Sequence, residues 1–316
     1  MDIFDSKDIS PMLIGEESEP FDSPDYIFDL KLDGDRCVAY LDPEAKETTL
    51  VNKRGKLMGS YVPELANLHK QVSKKVILDG ELIVTTPDGK PDFEQIRVRT
   101  TLTNRMKIER LARLHPASFV AFDMLYLDRQ IIRKPVIERK QLLEEFVCES
   151  ERLSVSRYIE ERGIDYYNLV AEQALDGIVA KQRDSRYYMG ERTKEWIKIK
   201  NQLDDDFIVT GYIIKRMNVT SLVLGQYNRS GEMAYKGHVI LGINRSDFRR
   251  IESLPVMAEH PFIDNPPRGN EDAIWVNPVF VCKVKFMAYT PGGGMRHPIY
   301  KGLRGDKEAK EVIDRC

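Results

Sequence analysis

The segment Lys31-Leu32-Asp33-Gly34-Asp35-Arg36 constrains this chain more than any other. It follows the apolar stretch Tyr26-Ile27-Phe28, and Asp-Gly is a strong turn signal, so the expected local fold is strand, tight connection, strand. The same residues bring together a primary amine, carboxylates, a glycine and a permanent cation. A lysine amine is a nucleophile only once its proton is gone. Nearby cations favour the neutral amine, so local charge sets reactivity. Alone, K-x-D-G-x-R is short, and a charged surface turn would account for it.

Further segments follow in a fixed order: Leu78-Asp79-Gly80-Glu81, Phe122-Asp123-Met124-Leu125-Tyr126, Asp176-Gly177-Ile178-Val179-Ala180-Lys181, then Trp196-Ile197-Lys198-Ile199-Lys200. Near the end come Arg296-His297-Pro298 and Leu303-Arg304-Gly305-Asp306-Lys307. Such an ordered set arises by chance far less readily than one motif. From about Met12 to Lys307 the chain resembles the covalent nucleotidyltransferases. Among these it is most similar to the ATP-dependent DNA ligases, in particular the ligase module of bacterial ligase D and its stand-alone relatives.

The resemblance implies attack by the Lys31 amine on the α-phosphate of ATP, giving lysyl-AMP and pyrophosphate. Its catalytic set is Lys31 with Arg36, Lys198 and Lys200, the cations expected to depress the amine's pKa and neutralise phosphate. Lys198 and Lys200 alternate on a predicted strand with Trp196, so the three share a face. The nucleotide would also meet Leu32, Glu81, Lys181, Arg304 and Lys307, with Phe122 stacking on adenine. Asp29 stands where relatives carry Glu to accept a hydrogen bond from the adenine amino group. Asp176 likewise replaces the usual Glu as a metal ligand, with Glu81 beside it. Magnesium or manganese suits this pair, since hard divalent ions take oxygen ligands. Lys53 or Arg54 matches the cation that meets the nick phosphate. Lys181 is expected to reach a nucleotide phosphate, and Asp306 to position Arg304 and Lys307.

Length predicts two domains, placed at 1–202 and 203–316. The first reads as α+β with mainly antiparallel sheets: strands at Val38–Leu41, Thr48–Asn52, Val76–Thr85, Ala117–Leu127 and Ile178–Lys181. Helical spacing occurs at Tyr61–Val72, Ile137–Val147 and Tyr166–Leu175. The polar run Asn201 to Asp206 reads as a hinge. Beyond it short strands dominate, with helical spacing around Phe248 to Leu254. They predict a small β domain, which the resemblance makes an OB-fold barrel. Pro291 to Gly294 reads as a flexible loop.

The net charge of −2 provides no bulk attraction to nucleic acid, so local basic clusters matter. Arg97, Arg99, Arg105, Lys107, Arg110 and Arg113 stand against one acid, Glu109, in such a cluster. Its later part predicts an amphipathic helix with Ile108, Leu111 and Leu114 inward. Cys37, Cys148, Cys282 and Cys316 lack metal-ligand spacing and read as reduced thiols. No apolar run approaches the roughly 20 residues a bilayer span needs, and the acidic start lacks a signal pattern. A cytoplasmic, nucleoid-associated monomer acting on nicked duplex DNA is the expectation. The short stretch before Lys31 leaves no room for an added DNA-binding domain, so help from an end-binding partner such as Ku, or from separate polymerase and nuclease proteins, is expected in repair. The competing readings are an RNA ligase, a capping-type guanylyltransferase and a catalytically dead nucleic-acid-binding module.

Overall fold

The computed structural model describes residues 2–215, 219–290 and 293–314. Pro291, Gly292 and Cys316, about which expectations were stated, lie outside the described residues. The chain forms two compact units, Met1–Asn201 and Gln202–Cys316.

The first unit carries strands β1 (Leu13–Glu17), β2 (Ser23–Leu30), β3 (Asp35–Asp42), β4 (Glu47–Asn52), β5 (Val76–Val84), β6 (Ala117–Leu127), β7 (Leu153–Val155), β8 (Tyr158–Glu161), β9 (Gly177–Gln182) and β10 (Arg192–Lys200). They form two five-stranded sheets, ordered β1-β10-β9-β2-β8 and β4-β3-β5-β6-β7. All pairings are antiparallel except β1 with β10 and β6 with β7. Helices α1 (Ile3–Ser6), α2 (Phe93–Thr101), α3 (Arg105–Leu114), α4 (Val136–Phe146) and α5 (Gly163–Glu172) complete the unit.

Successive strand residues point to opposite faces, and that alternation sorts the core. Cys37, Ala39 and Leu41 of β3 and Leu78, Leu82 and Val84 of β5 join one cluster with Ile96 of α2 and Leu143 of α4. Their neighbours Val38, Tyr40 and Ile77 join a second cluster with Ile27 of β2 and Trp196 of β10, so this cluster lies between the sheets. A third, holding Phe28, Ile178, Ala180, Ile197 and Ile199 with Val170 of α5, covers the outer face of the other sheet. Both sheets are therefore buried on two faces along much of their length, which explains the nearly continuous apolar runs.

One expectation fails here. Tyr61–Val72 is not an α-helix but two 3-10 turns, Pro63–Leu65 and Leu68–Gln71. Val62, Leu65, Leu68 and Val72 are buried as their spacing implied, but the tighter turn meets the same packing requirement. The Asp-Gly pair at 79–80 lies in mid-β5, where a Cβ on Gly80 would come within 2.5 Å of Phe119 and of the Val120 carbonyl oxygen.

The second unit holds β11 (Leu203–Lys215), β12 (Val219–Tyr227), β13 (Met233–Val239), α6 (Arg245–Glu252), β14 (Ile274–Trp275), β15 (Val281–Phe286), β16 (Ala288–Tyr289), β17 (Met295–Arg296) and β18 (Ile299–Arg304). The main sheet runs β13-β12-β11-β15-β18, with β14 on β11. A parallel bridge between Leu241 and Ile299 ties the chain after β13 to β18, so the order closes on itself as a small barrel. Helix α6 buries Ile251 in its core. The acidic run expected to be a hinge is largely strand: Leu203 to Asp206 pair with Phe286 to Lys283 of β15. Cross-strand partners, among them Lys283 on Asp204 at 3.2 Å, make these acids compatible with a strand.

Candidate active site

The alternation that sorts the core also builds a cleft. Asp29 of β2 has the parity of Ile27, Lys181 and Val179 of β9 share theirs, and Lys198 and Lys200 share that of Trp196. Arg36 shares the parity of Val38, while Asp79 and Glu81 share that of Ile77. The inter-sheet face is thus apolar at one end and charged at the other. The charged end opens as a cleft. Asp29, Lys31, Leu32, Arg36, Glu81, Phe122 and Lys181 all line it, with Trp196 and Ile14.

Arg36 sits opposite Glu81 in the β3–β5 ladder. Its guanidinium donates through Nε at 3.1 Å and Nη2 at 2.6 Å to the two oxygens of fully buried Asp79. Tyr187 adds a third bond, its hydroxyl donating to Asp79 at 2.6 Å while accepting from the Met12 amide at 3.0 Å. Burial opposes the charge on Arg36, but the Asp79 carboxylate outweighs it, so the guanidinium is held protonated more firmly than usual. Burial pushes the Glu81 carboxyl up to about 8, against the pull of Arg36 and Lys31. The sequence expectation gave Asp79 no role, although it lies inside a quoted motif. Tyr187 carried no sequence signal.

Phe122 owes its place to a register slip. Asp79 pairs with Asp123 and Gly80 with Ala121, leaving Phe122 as the extra residue of a bulge. Bulges re-aim a side chain, and this one turns an aromatic ring into the cleft. The Arg36 guanidinium lies 5.1 Å from the ring centroid and the Lys181 ammonium 4.7 Å from it. Trp196 closes the floor edge-on, 6.4 Å from Phe122.

Lys31 lies just after β2, its amide donating to the Gly177 carbonyl at 2.9 Å. Only glycine fits at 177: φ is +121° and a Cβ would meet the Ile199 oxygen at 2.1 Å. Gly34 is equally constrained, since a Cβ there would meet the Leu82 oxygen at 2.1 Å. These two glycines fix where Lys31 and Asp176 sit, and the Lys31 ammonium lies 3.1 Å from Asp176. The expected cations are themselves paired. The charged group in contact with the amine is a carboxylate, and Lys198 and Lys200 both turn to Glu17, at 3.5 and 2.9 Å. Glu17 enters because β1 pairs in parallel with β10, a long-range contact no local pattern announces.

Lys181 is paired in the same way. It is buried, donating to Asp29 Oδ2 at 2.6 Å and to the Phe122 carbonyl at 3.3 Å. Lys53 and Arg54 are exposed after β4, the Lys53 amide bonding the Arg36 carbonyl at 3.0 Å. In the second unit Arg304 and Lys307 converge on Asp206, at 3.2 and 2.9 Å. Arg304 also grips Asp306, whose carboxyl it holds down at about 2.

The basic stretch divides. Arg99 is fully buried and binds Glu64 and the His115 and Tyr61 carbonyls, so it is structural. On α3, Ile108 is buried but Leu114 is 58% exposed, so the inward face is narrower than the spacing implied. Arg105 pairs with Glu109, whereas Lys107, Arg110 and Arg113 point to solvent.

Among the described residues no group of three or more His, Cys, Asp or Glu forms a metal cage, and no helix is long and apolar enough to cross a membrane. Magnesium commonly uses one or two carboxylates plus substrate phosphates, so Asp176 and Glu81 fit that donor set.

Comparison with known proteins agrees with this architecture. The family model described as ATP dependent DNA ligase domain matches residues 11–200, and that described as ATP dependent DNA ligase C terminal region matches residues 215–307. The SPbeta prophage-derived DNA ligase-like protein LigB of Bacillus subtilis is 29% identical over 94% of this chain and 99% of its own length. The multifunctional non-homologous end joining DNA repair protein LigD of Mycobacterium tuberculosis is 27% identical over 98% of this chain, which spans 40% of that protein. The solved structure of mycobacterial DNA ligase D complexed with ATP and MES is 25% identical, with a TM-score of 0.58 over the full length of both chains. With the ligase domain model matching more than half of the chain and the C terminal region model following it in order, the chain belongs to the ATP-dependent DNA ligases.

Proposed function

We propose that Lys31 is the nucleophile that carries AMP, and that the cleft between the two sheets is the adenylation site. The observation that supports this most is the convergence of Lys31, Arg36, Glu81 and Phe122 on one cleft from separate strands and connections. The amine attacks the α-phosphorus of ATP, a P–N bond forms, and the bond to the bridging oxygen breaks as pyrophosphate leaves. AMP then passes to a 5′-phosphate at a nick, and the 3′-hydroxyl displaces it to leave a phosphodiester. Positioning and charge neutralisation do most of this work.

Phe122 stacks on the base, and Arg36, stiffened by Asp79 and Tyr187, together with Glu81 orients the sugar. Asp176 and Glu81 would hold a divalent cation, whose chemistry is to neutralise phosphate charge. Lys198 and Lys200 reach phosphate by leaving Glu17, which sits 42% exposed. Lys53 or Arg54 meets the nick phosphate. Lys107, Arg110 and Arg113 of α3 add sequence-independent backbone contact. Arg304 and Lys307 orient the leaving pyrophosphate. Similarity to an end joining DNA repair protein supports a role in DNA repair; action as a cytoplasmic monomer beside an end-binding partner such as Ku completes the proposal.

The test is intact-mass and peptide mapping after incubation with ATP and magnesium. An AMP adduct on Lys31, removed by pyrophosphate and absent from Lys31→Ala, is expected. An adduct elsewhere, or nick sealing by Lys31→Ala, overturns the reading.

A further inference from the structure

Arg304 and Lys307 do not stand alone in the second unit: one carboxylate from a distant strand binds both. Asp206 lies on β11, is 8% exposed, and accepts from Arg304 Nη1 at 3.2 Å and from the Lys307 ammonium at 2.9 Å. Its own strand holds it in place. Asp206 pairs with Lys283 of β15, and its carbonyl accepts from Gln226 Nε2 of β12 at 2.9 Å. The cations have less backbone support, since Arg304 is the last residue of β18 and Lys307 lies beyond it. Arg304 commits two further donors to Asp306, Nε at 2.7 Å and Nη2 at 2.6 Å.

Neither stability nor bulk charge accounts for this arrangement. The Arg304 and Lys307 side chains remain 31% and 22% exposed, and ion pairs open to water add little to stability. Two cations facing two carboxylates sum to zero, so the group has no net charge with which to draw an anion from a distance. What it has is geometry. A guanidinium carries five N–H donors in a rigid fork, and an ammonium carries three. The bonds to Asp206 and Asp306 fix the plane of the fork and leave donors over on both cations. Because Asp206 bonds both, it also sets the distance between them.

We propose that Asp206 is a positioning residue for the first chemical step: it holds Arg304 and Lys307 at a fixed spacing, so that their remaining donors meet the oxygens of the leaving pyrophosphate together. Orientation set before reaction lowers the barrier without any bond to Asp206 forming or breaking. Pyrophosphate leaves only when Lys31 is adenylated. Transfer of AMP to the nick and attack by the 3′-hydroxyl are therefore independent of this spacing. The inference rests on the role proposed above for Arg304 and Lys307.

The test measures three quantities on the full chain: the rate of Lys31 adenylation with ATP and magnesium, the KM for pyrophosphate in the reverse reaction, and the rate of sealing a nick that already carries the 5′-adenylate. Asp206→Asn weakens a charge-assisted contact, so adenylation slows about tenfold and the KM for pyrophosphate rises about tenfold. The pre-adenylated nick is sealed at the wild-type rate. In a chain that already carries Arg304→Gln and Lys307→Gln, adding Asp206→Asn changes none of the three, because the residue acts through those cations. Asp206→Ser, measured beside it, decides by the same quantities if the asparagine variant does not fold. Faster adenylation by Asp206→Asn means that the carboxylate only sequesters the cations. An equal loss in all three quantities means that it only supports the fold, and a further loss in the Arg304 and Lys307 background means that it acts by another route. Each of these overturns the inference. Undiminished adenylation by the Arg304→Gln, Lys307→Gln chain instead removes the role on which the inference rests, so the two failures are distinct.

Discussion

Removing Asp79 should damage stability and chemistry in separable amounts. Its carboxylate is fully buried and accepts from Arg36 at 3.1 and 2.6 Å and from Tyr187 at 2.6 Å. Asp79→Ala leaves the Arg36 guanidinium, whose side chain is 14% exposed, without its carboxylate. Breaking a buried ion pair by removing one partner costs about 3–5 kcal/mol. The residual route to solvent at Arg36 puts the expected loss near the lower end, about 3 kcal/mol. For a unit of this size each kcal/mol moves the melting temperature by roughly 2–4 °C, so a drop of about 6–12 °C follows. Calorimetry reads the transition of the first unit, and mass spectrometry reads adenylation of the same samples. Adding Arg36→Met should recover much of the lost stability, because replacing both partners by apolar groups removes the stranded charge. Adenylation should remain impaired in that double variant. A loss under about 1 kcal/mol for Asp79→Ala, or strictly additive single effects, would refute the reasoning.

Two further outcomes test other parts of the molecule. Replacing Lys107, Arg110 and Arg113 by Gln should lower the magnitude of the slope of log affinity against log salt on nicked DNA by about 2–3, with Lys31 adenylation unchanged; an unaltered slope removes α3 from the DNA surface. Glu81 titrates near 8 in the folded chain against an ordinary value of 4.5, so the folded state keeps a proton that the unfolded chain releases above about pH 4.5. Its contribution to stability is therefore present at low pH and lost as pH rises to 8. The melting-temperature advantage of wild type over Glu81→Gln should shrink across that window, and a constant or growing advantage contradicts the assignment.

Much of the fold was legible because strand alternation and turn chemistry are local. The β-branched runs at β3, β5, β6 and β9 announce themselves, and the same period of two predicts that Lys198 and Lys200 share a face with Trp196. The Lys31–Arg36 and Asp176–Lys181 segments also revealed which residues meet in the cleft, since they lie at its edge. The misreadings arose where packing overrides local preference. Tyr61–Val72 has helical spacing but closes into 3-10 turns, and the acids of 204–206 pair in a strand. Phe122 was expected from the resemblance to face the nucleotide, but the bulge opposite Asp79 and Gly80 that turns its ring into the cleft has no local signal.

The sequence by itself determined the ligase motifs, the strand parity and the positions where only glycine fits. Tertiary structure alone decided which partners the buried and cleft charges meet: Asp79 the Arg36 guanidinium and the Tyr187 hydroxyl, Asp29 the ammonium groups of Lys140 and Lys181, Glu17 Lys200, and Asp206 Arg304 and Lys307. Side-chain direction along a strand repeats every two residues and is written locally. The partner of a buried charge depends on which distant strand or helix packs beside it, and on the low-dielectric setting that makes an unpaired ion costly.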